Sequence, residues 1–102
     1  MLSLNVTDRT VGTSPQVNLT VRSVDPVSGD ARTIFSTQDF DPTIATHLAF
    51  LYPGLSSATL GAYGANVQGI GSLVLPRKWY VTVVFVQDIT DLTFSLAATF
   101  IL

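Results

Sequence analysis

Apolar and polar residues alternate strictly from Leu2 to Thr7, with Leu2, Leu4 and Val6 on one side and Ser3, Asn5 and Thr7 on the other. A period of two marks a strand with one covered face. Gly12-Thr13-Ser14-Pro15 interrupts the pattern, and Val17, Leu19 and Val21 resume it against Asn18, Thr20 and Arg22, which predicts a second half-buried strand. Asp25-Pro26-Val27-Ser28-Gly29-Asp30 reads as a turn, because Pro presets φ and Gly reaches positive φ. A third strand around Ala31 to Thr37, carrying Ile34 and Phe35, would complete a hairpin. Asp39-Phe40-Asp41-Pro42 reads as a loop.

From Ile44 to Tyr52 two readings stand. Leu48, Phe50 and Tyr52 alternate with His47, Ala49 and Leu51 as in a strand, yet the same residues could make two turns of helix; Pro53-Gly54 ends either. Leu55 to Gly71 carries Gly61, Gly64, Gly69 and Gly71 and reads as a long loop with one short strand near Val67. Long loops in small domains are often functional, so a contact surface is expected here. Beyond it, Trp79, Val81, Val83 and Phe85 alternate with Tyr80, Thr82, Val84 and Val86. Both faces are apolar, which predicts a central strand buried on two sides. Asp88-Ile89-Thr90-Asp91 reads as a turn pairing this strand with a last one from Leu92 to Leu102. Roughly seven or eight short strands with regular turn signals predict an all-β domain, an antiparallel β-sandwich or jelly roll. No linker or repeat divides the chain, so residues 1–102 are expected to form a single domain.

Composition adds a different kind of information. The charged fraction is 12%, with seven acidic and five basic residues and a net charge of −2. That is about half the charge usual for a soluble domain, where roughly 25% is typical. A small chain that lacks this charge is expected to cover part of its surface with a partner, most simply with copies of itself. No apolar run approaches the length of a membrane-spanning helix, so no membrane partner is expected. The basic excess needed for phosphate contacts is missing, so no nucleic acid is expected. The first residues do not read as a secretory signal, and the chain is expected to stay in the compartment where it is made.

The candidates for chemistry are few. A Ser or Cys nucleophile needs a base in reach; the chain holds one His and no Cys, and His47 lies in an apolar stretch that suits a hydrogen-bonded structural role. Glycosidase chemistry needs two carboxylates across a cleft, whereas Asp25, Asp30, Asp39, Asp41, Asp88 and Asp91 sit in turns, where Asp binds its own backbone. No enzyme is expected. Asp39 and Asp41 could approach a Ca²⁺, but they supply too few oxygens in too irregular a loop, and no metal or other cofactor is expected. Gly69-Ile70-Gly71 lacks the helix of a dinucleotide-binding turn and reads as strand punctuation. Asn5-Val6-Thr7 and Asn18-Leu19-Thr20 fit the glycosylation pattern but read as polar strand faces. Tyr52, Tyr63, Trp79 and Tyr80 could make an aromatic platform, with Trp79 better suited to a core. The expected partner contacts are Tyr63, with Leu60 and Val67 in the same stretch, and Leu2 and Leu4 on an open edge of the first strand.

The segment order resembles a known family. Gly12-Thr13-Ser14-Pro15 leads into Val17-Asn18-Leu19-Thr20-Val21, then come the Asp25-Pro26 to Gly29-Asp30 hairpin and Ile34-Phe35. Leu75-Pro76-Arg77-Lys78-Trp79-Tyr80-Val81 and Leu92-Thr93-Phe94-Ser95-Leu96 follow. This is similar to the small β-sandwich head decoration, or cement, proteins and related accessory virion proteins of tailed bacteriophages. The long Leu55–Gly71 stretch and the glycine-free Asp88–Asp91 turn depart from that pattern. The resemblance implies a structural protein, made in the host cytoplasm, that binds the major capsid protein on the capsid exterior and stabilises the shell. A trimer would match the three-fold positions of such a lattice. The alternatives are a phage tail or baseplate subunit, and a carbohydrate-binding β-sandwich module.

Overall fold

The computed structural model describes residues 1–53 and 66–100. They form one curled, mixed, five-stranded sheet: β1 (Leu2–Val24), β2 (Ala31–Ser36), β3 (Thr46–Leu51), β4 (Val67–Gly71) and β5 (Trp79–Ala98). The all-β expectation holds, and no helix occurs among the described residues. The expected count of seven or eight antiparallel strands does not. Two pairs of predicted strands are single long ones, and β3 pairs with β4 in parallel, Leu48 beside Val67 and Leu51 beside Gly71.

The backbone of the fold is the antiparallel ladder between β1, 23 residues long, and β5, 20 residues long. It runs from Leu2↔Ala98 to Ser23↔Trp79. Both strands bend at one corner, where Gly12 to Pro15 of β1 lie opposite Asp88 alone, between Val11↔Ile89 and Gln16↔Gln87. Asp88 takes positive φ (55°), and its Oδ2 accepts from the Ser14 amide at 3.1 Å. Gln87 Nε2 donates to the Ser14 carbonyl at 2.8 Å. A side chain on Gly12 would meet Asp88 Cβ at 3.1 Å, so the missing Cβ is what lets the strands approach here. The expected Asp88–Asp91 hairpin turn is therefore a bulged bend inside one strand. Trp79–Gln87 and the residues from Leu92 onward are its two halves, each paired to β1 and not to one another. Of the predicted last strand, Ile101 and Leu102 lie outside the described residues.

The bend turns the two halves of β1 face to face. Leu4 and Val6 from the first half pack against Val17 and Leu19 from the second, with Phe40 and Leu92 closing one core cluster. Leu2, Val21, Ala49 and Leu51 form the neighbouring cluster. Leu4, Val6, Val17, Leu19 and Val21 are wholly buried, each contributing about 1.5–3 kcal/mol of transfer free energy. The ends of the sheet order β2-β1-β3-β4 also meet across this core. Phe35 of β2 lies on β4 where Gly69 and Gly71 leave room for its ring, an added Cβ falling 2.9 Å and 2.8 Å from it.

The outer edge of β1 is occupied along both halves. β2 pairs with Thr20–Val24, Thr37 exchanges bonds with Leu19 through its backbone and Oγ1, Phe40 bridges Val17, and β3 pairs with Leu2–Asn5. The Asp25–Asp30 hairpin is as expected, with Asp25 N donating to Asp30 O at 2.8 Å and Gly29 at φ 80°.

Candidate functional site

Because β1 separates β5 from every other strand, β5 closes the sheet on that side with its second edge unpaired among the described residues. It is the longest free edge among the described residues. In an antiparallel ladder, opposed residues share a face. Phe85 opposes buried Val17, Phe94 opposes Val6, and Leu96 opposes Leu4, so all three belong to the core side. They are nonetheless exposed: Phe85 is 48% and Phe94 38% accessible. The core's apolar rows run out to β5 and stop there without cover. On the opposite face Tyr80, Val84 and Val86 are exposed as well. The prediction of a central strand buried on two sides is thus corrected. β5 has the composition of an interior strand and the position of an edge.

The devices that ordinarily blunt such an edge are scarce. From Trp79 to Gln87, and again from Leu92 to Ala98, there is no charged residue, no Pro and no Gly. Asp88 and Asp91 interrupt only at the bend. At the far end, Thr99 N bonds Met1 O at 2.8 Å, extending the ladder, and Phe100 stands 59% exposed with its ring edge-on to Trp79 at 6.1 Å. An apolar cavity of about 170 Å³ opens beside this pair, lined by Leu2, Leu51, Leu75, Trp79, Ala98 and Phe100 among others.

The residues expected to make contacts fall elsewhere. Leu2 and Leu4 are 3% and 0% exposed, in a strand flanked by β3 and β5, so the open edge expected at Leu2–Thr7 is a core position instead. Val67 begins β4 and is buried against Phe50. Tyr63 and Leu60 lie outside the described residues. Of the expected aromatic platform, Tyr52 and Trp79 line the apolar cavity beside Phe100, Tyr80 faces away from the core, and Tyr63 lies outside the described residues.

His47 is buried and bonded at both nitrogens. Nε2 lies 3.0 Å from the Thr43 carbonyl, which can only accept, so the hydrogen sits on Nε2; Nδ1 then accepts from Gln68 Nε2 at 3.2 Å. Its ring packs on Phe40 at 4.9 Å. The imidazole ties the loop before β3 to β4. Asp39 accepts from Asn18 Nδ2 at 3.0 Å, and Asp41 pairs with Arg9 at 2.6 Å. Among the described residues no three His, Cys, Asp or Glu side chains are grouped to hold a metal. Nor is any helix there long and apolar enough to cross a membrane. Asn5 accepts across the ladder from Thr46 Oγ1 of β3, while Asn18 donates to Asp39 and accepts from Thr20 Oγ1 two residues along the same strand.

Comparison with known protein families, with curated proteins and with solved structures finds no match. The site therefore rests on its own geometry. That geometry offers backbone ladder positions, apolar rows and few charges, a combination suited to holding another protein surface.

Proposed function

We propose that this chain is a structural virion protein: a capsid decoration subunit, made in the host cytoplasm, that binds the outer surface of a shell of major capsid protein and stabilises it. In this reading the curled sheet is the body of a β-sandwich. The observation that carries it is the β5 edge, unpaired among the described residues, along which Phe85, Phe94 and Leu96 of the core side are exposed. The C-terminal half of that edge, with Phe94, Leu96 and Phe100 accessible, is the surface assigned to the shell. Affinity there comes from apolar burial and strand addition, because surface ion pairs give only about 0–1 kcal/mol each and are screened by salt.

Co-sedimentation with undecorated shells across a salt series tests this. Binding is expected to change little with salt and to weaken when Phe100 is replaced by Ala, while Arg32→Ala, on β2, leaves it intact. A steep loss with salt, or no binding at all, overturns the reading. Copy number in intact virions tests the location. Hundreds of copies agree with a head lattice, whereas a handful confined to one end of the particle replaces it with a tail or baseplate subunit. Selective retention on a glycan array replaces it with a sugar-binding module.

A further inference from the structure

The formal charge of −2 is unevenly divided over the fold. Residues 54–65 and 101–102 carry no charged side chain, so all twelve belong to described residues. Arg22, Arg32, Arg77 and Lys78 lie at the end where Ser23 pairs with both Arg32 and Trp79, accompanied by Asp25 and Asp30. Asp8, Asp39, Asp41, Asp88 and Asp91 lie toward the bend, where Arg9 is the single cation. Four cations against two carboxylates leave +2 at one end, and one against five leaves −4 at the other. Roughly seven residues of β1, from Gln16 to Ser23, separate the two ends, about 23 Å at about 3.3 Å per residue.

Each end has charges left over. Arg32, Arg77 and Lys78 line an open cleft of about 530 Å³ with Asp25 and Asp30, yet no ion pair forms within it; Arg9–Asp41 is the one ion pair among the described residues. Asp25 is already held by the Val27 and Ser28 amides of its own turn. Toward the bend, Asp8 opposes Thr93 and Asp91 opposes Thr10, so the two carboxylates stand diagonally on one face of the ladder, at a spacing of about 7–8 Å. That face is the outer one, because Leu92, between Asp91 and Thr93, is buried. Arg9 opposes Leu92 on the other face and is bonded to Asp41. Two like charges thus stand side by side without a cation, an unfavourable arrangement that a cation from outside relieves. We propose that copies of this chain associate head to tail, the basic cleft of one seated on the Asp8–Asp91 face of the next. The cleft belongs to the second half of the ladder and the acidic pair to the first, at the opposite end, so a neighbour that fills one leaves the other free. Such a heterologous contact closes into a ring or runs on as a filament. A ring of three would be the trimer implied by the family resemblance. The contact needs no capsid shell.

Sedimentation across concentration and salt tests this. At about 0.01 M salt, species larger than a dimer should form and gain with concentration. Near 1 M the monomer should return, because the screening length falls from about 30 Å to about 3 Å. Neutral substitutions separate the two surfaces. Arg77→Gln with Lys78→Gln removes two of the cleft's three cations, and Asp8→Asn with Asp91→Asn removes the charge of its target. Each double variant should self-associate at least about tenfold more weakly than wild type. Mixed, they keep one basic cleft and one acidic face between them, and should form one-to-one pairs that grow no further. All four positions are exposed, and circular dichroism checks the fold; should a double variant unfold, Lys78→Gln and Asp91→Asn alone carry the test. A monomer throughout, wild-type assembly that stops at a dimer, association indifferent to salt, or a mixture that fails to pair overturns the proposal. Head-to-tail assembly without shell binding leaves it standing and removes the shell reading. Shell binding by a chain that stays monomeric does the reverse.

Discussion

His47 shows how one buried polar side chain can hold three segments. Removing its ring leaves the Thr43 carbonyl and Gln68 amide without their partner and opens a void beside Phe40. His47→Ala is expected to cost about 3 kcal/mol, the sum of a modest cavity and unsatisfied polar groups. A lower urea midpoint at unchanged slope measures it. Gly71 carries the opposite demand, for absence. A methyl there would fall 2.7 Å from Leu51 Cδ2 and 2.8 Å from the Phe35 ring, so buried Leu51 and half-buried Phe35 would both have to shift. Gly71→Ala is expected to destabilise by about 1–3 kcal/mol, and a thermal melt matching wild type would mean that the β2–β4 contact is loose. At Asp25, the Val27 amide, then the Ser28 amide, stabilise the carboxylate and pull its pKa below the usual 3.8. The folded value is depressed, so this turn's contribution is complete above pH 3.8 and is lost as pH falls through the lower folded value. A carboxyl titration followed by NMR should show the Asp25 midpoint below 3.8, with the Val27 amide resonance shifting in step.

Among the elements, the bend at Asp88 decides the architecture. Its positive φ suits Asp and Asn far better than a β-branched residue. Asp88→Asn keeps both the conformation and an acceptor for Ser14, and should cost under about 1 kcal/mol, whereas Asp88→Val should cost about 2–3 kcal/mol. Equal denaturation midpoints for the two would show that the corner does not rely on this residue. The same bend explains what could and could not be read in advance. Alternation at Leu2–Thr7 and Val17–Val21 correctly marked the core-facing residues, and Pro26 with Gly29 correctly placed the hairpin. Gly12 to Pro15 and Asp88 to Asp91 carry turn residues, yet each bends a strand that continues, because the two irregularities lie opposite one another and absorb each other's kink. Local chemistry marks where a chain departs from a straight strand; the strand across from it decides whether the departure becomes a turn. The edge position of β5 was hidden for a related reason. Alternation shows which residues share a face but not whether anything covers it, so Tyr80, Val84 and Phe85 read as interior. The same ambiguity placed the free edge at Leu2 and Leu4, which β3 and β5 enclose.

At the scale of the molecule, the long ladder pairs Leu2 with Ala98 and Ser23 with Trp79. Little of the core can close until these distant segments meet, because Leu4 and Val6 pack with Leu92, and Val21 with Trp79. So large a sequence separation places the chain among slow folders, with refolding expected in milliseconds to seconds, and stopped-flow fluorescence of Trp79 would time it. Synthesis is slower still, at roughly 5–20 residues per second, so β1 leaves the ribosome seconds before its partner exists. During that interval its alternating apolar row has only solvent or a chaperone to face. A stalled nascent chain should therefore stay protease-sensitive through β4 and gain protection only once Trp79–Ala98 has cleared the exit tunnel. The pairing that gives the finished subunit its spine also makes the nascent chain vulnerable for most of the time it takes to make it.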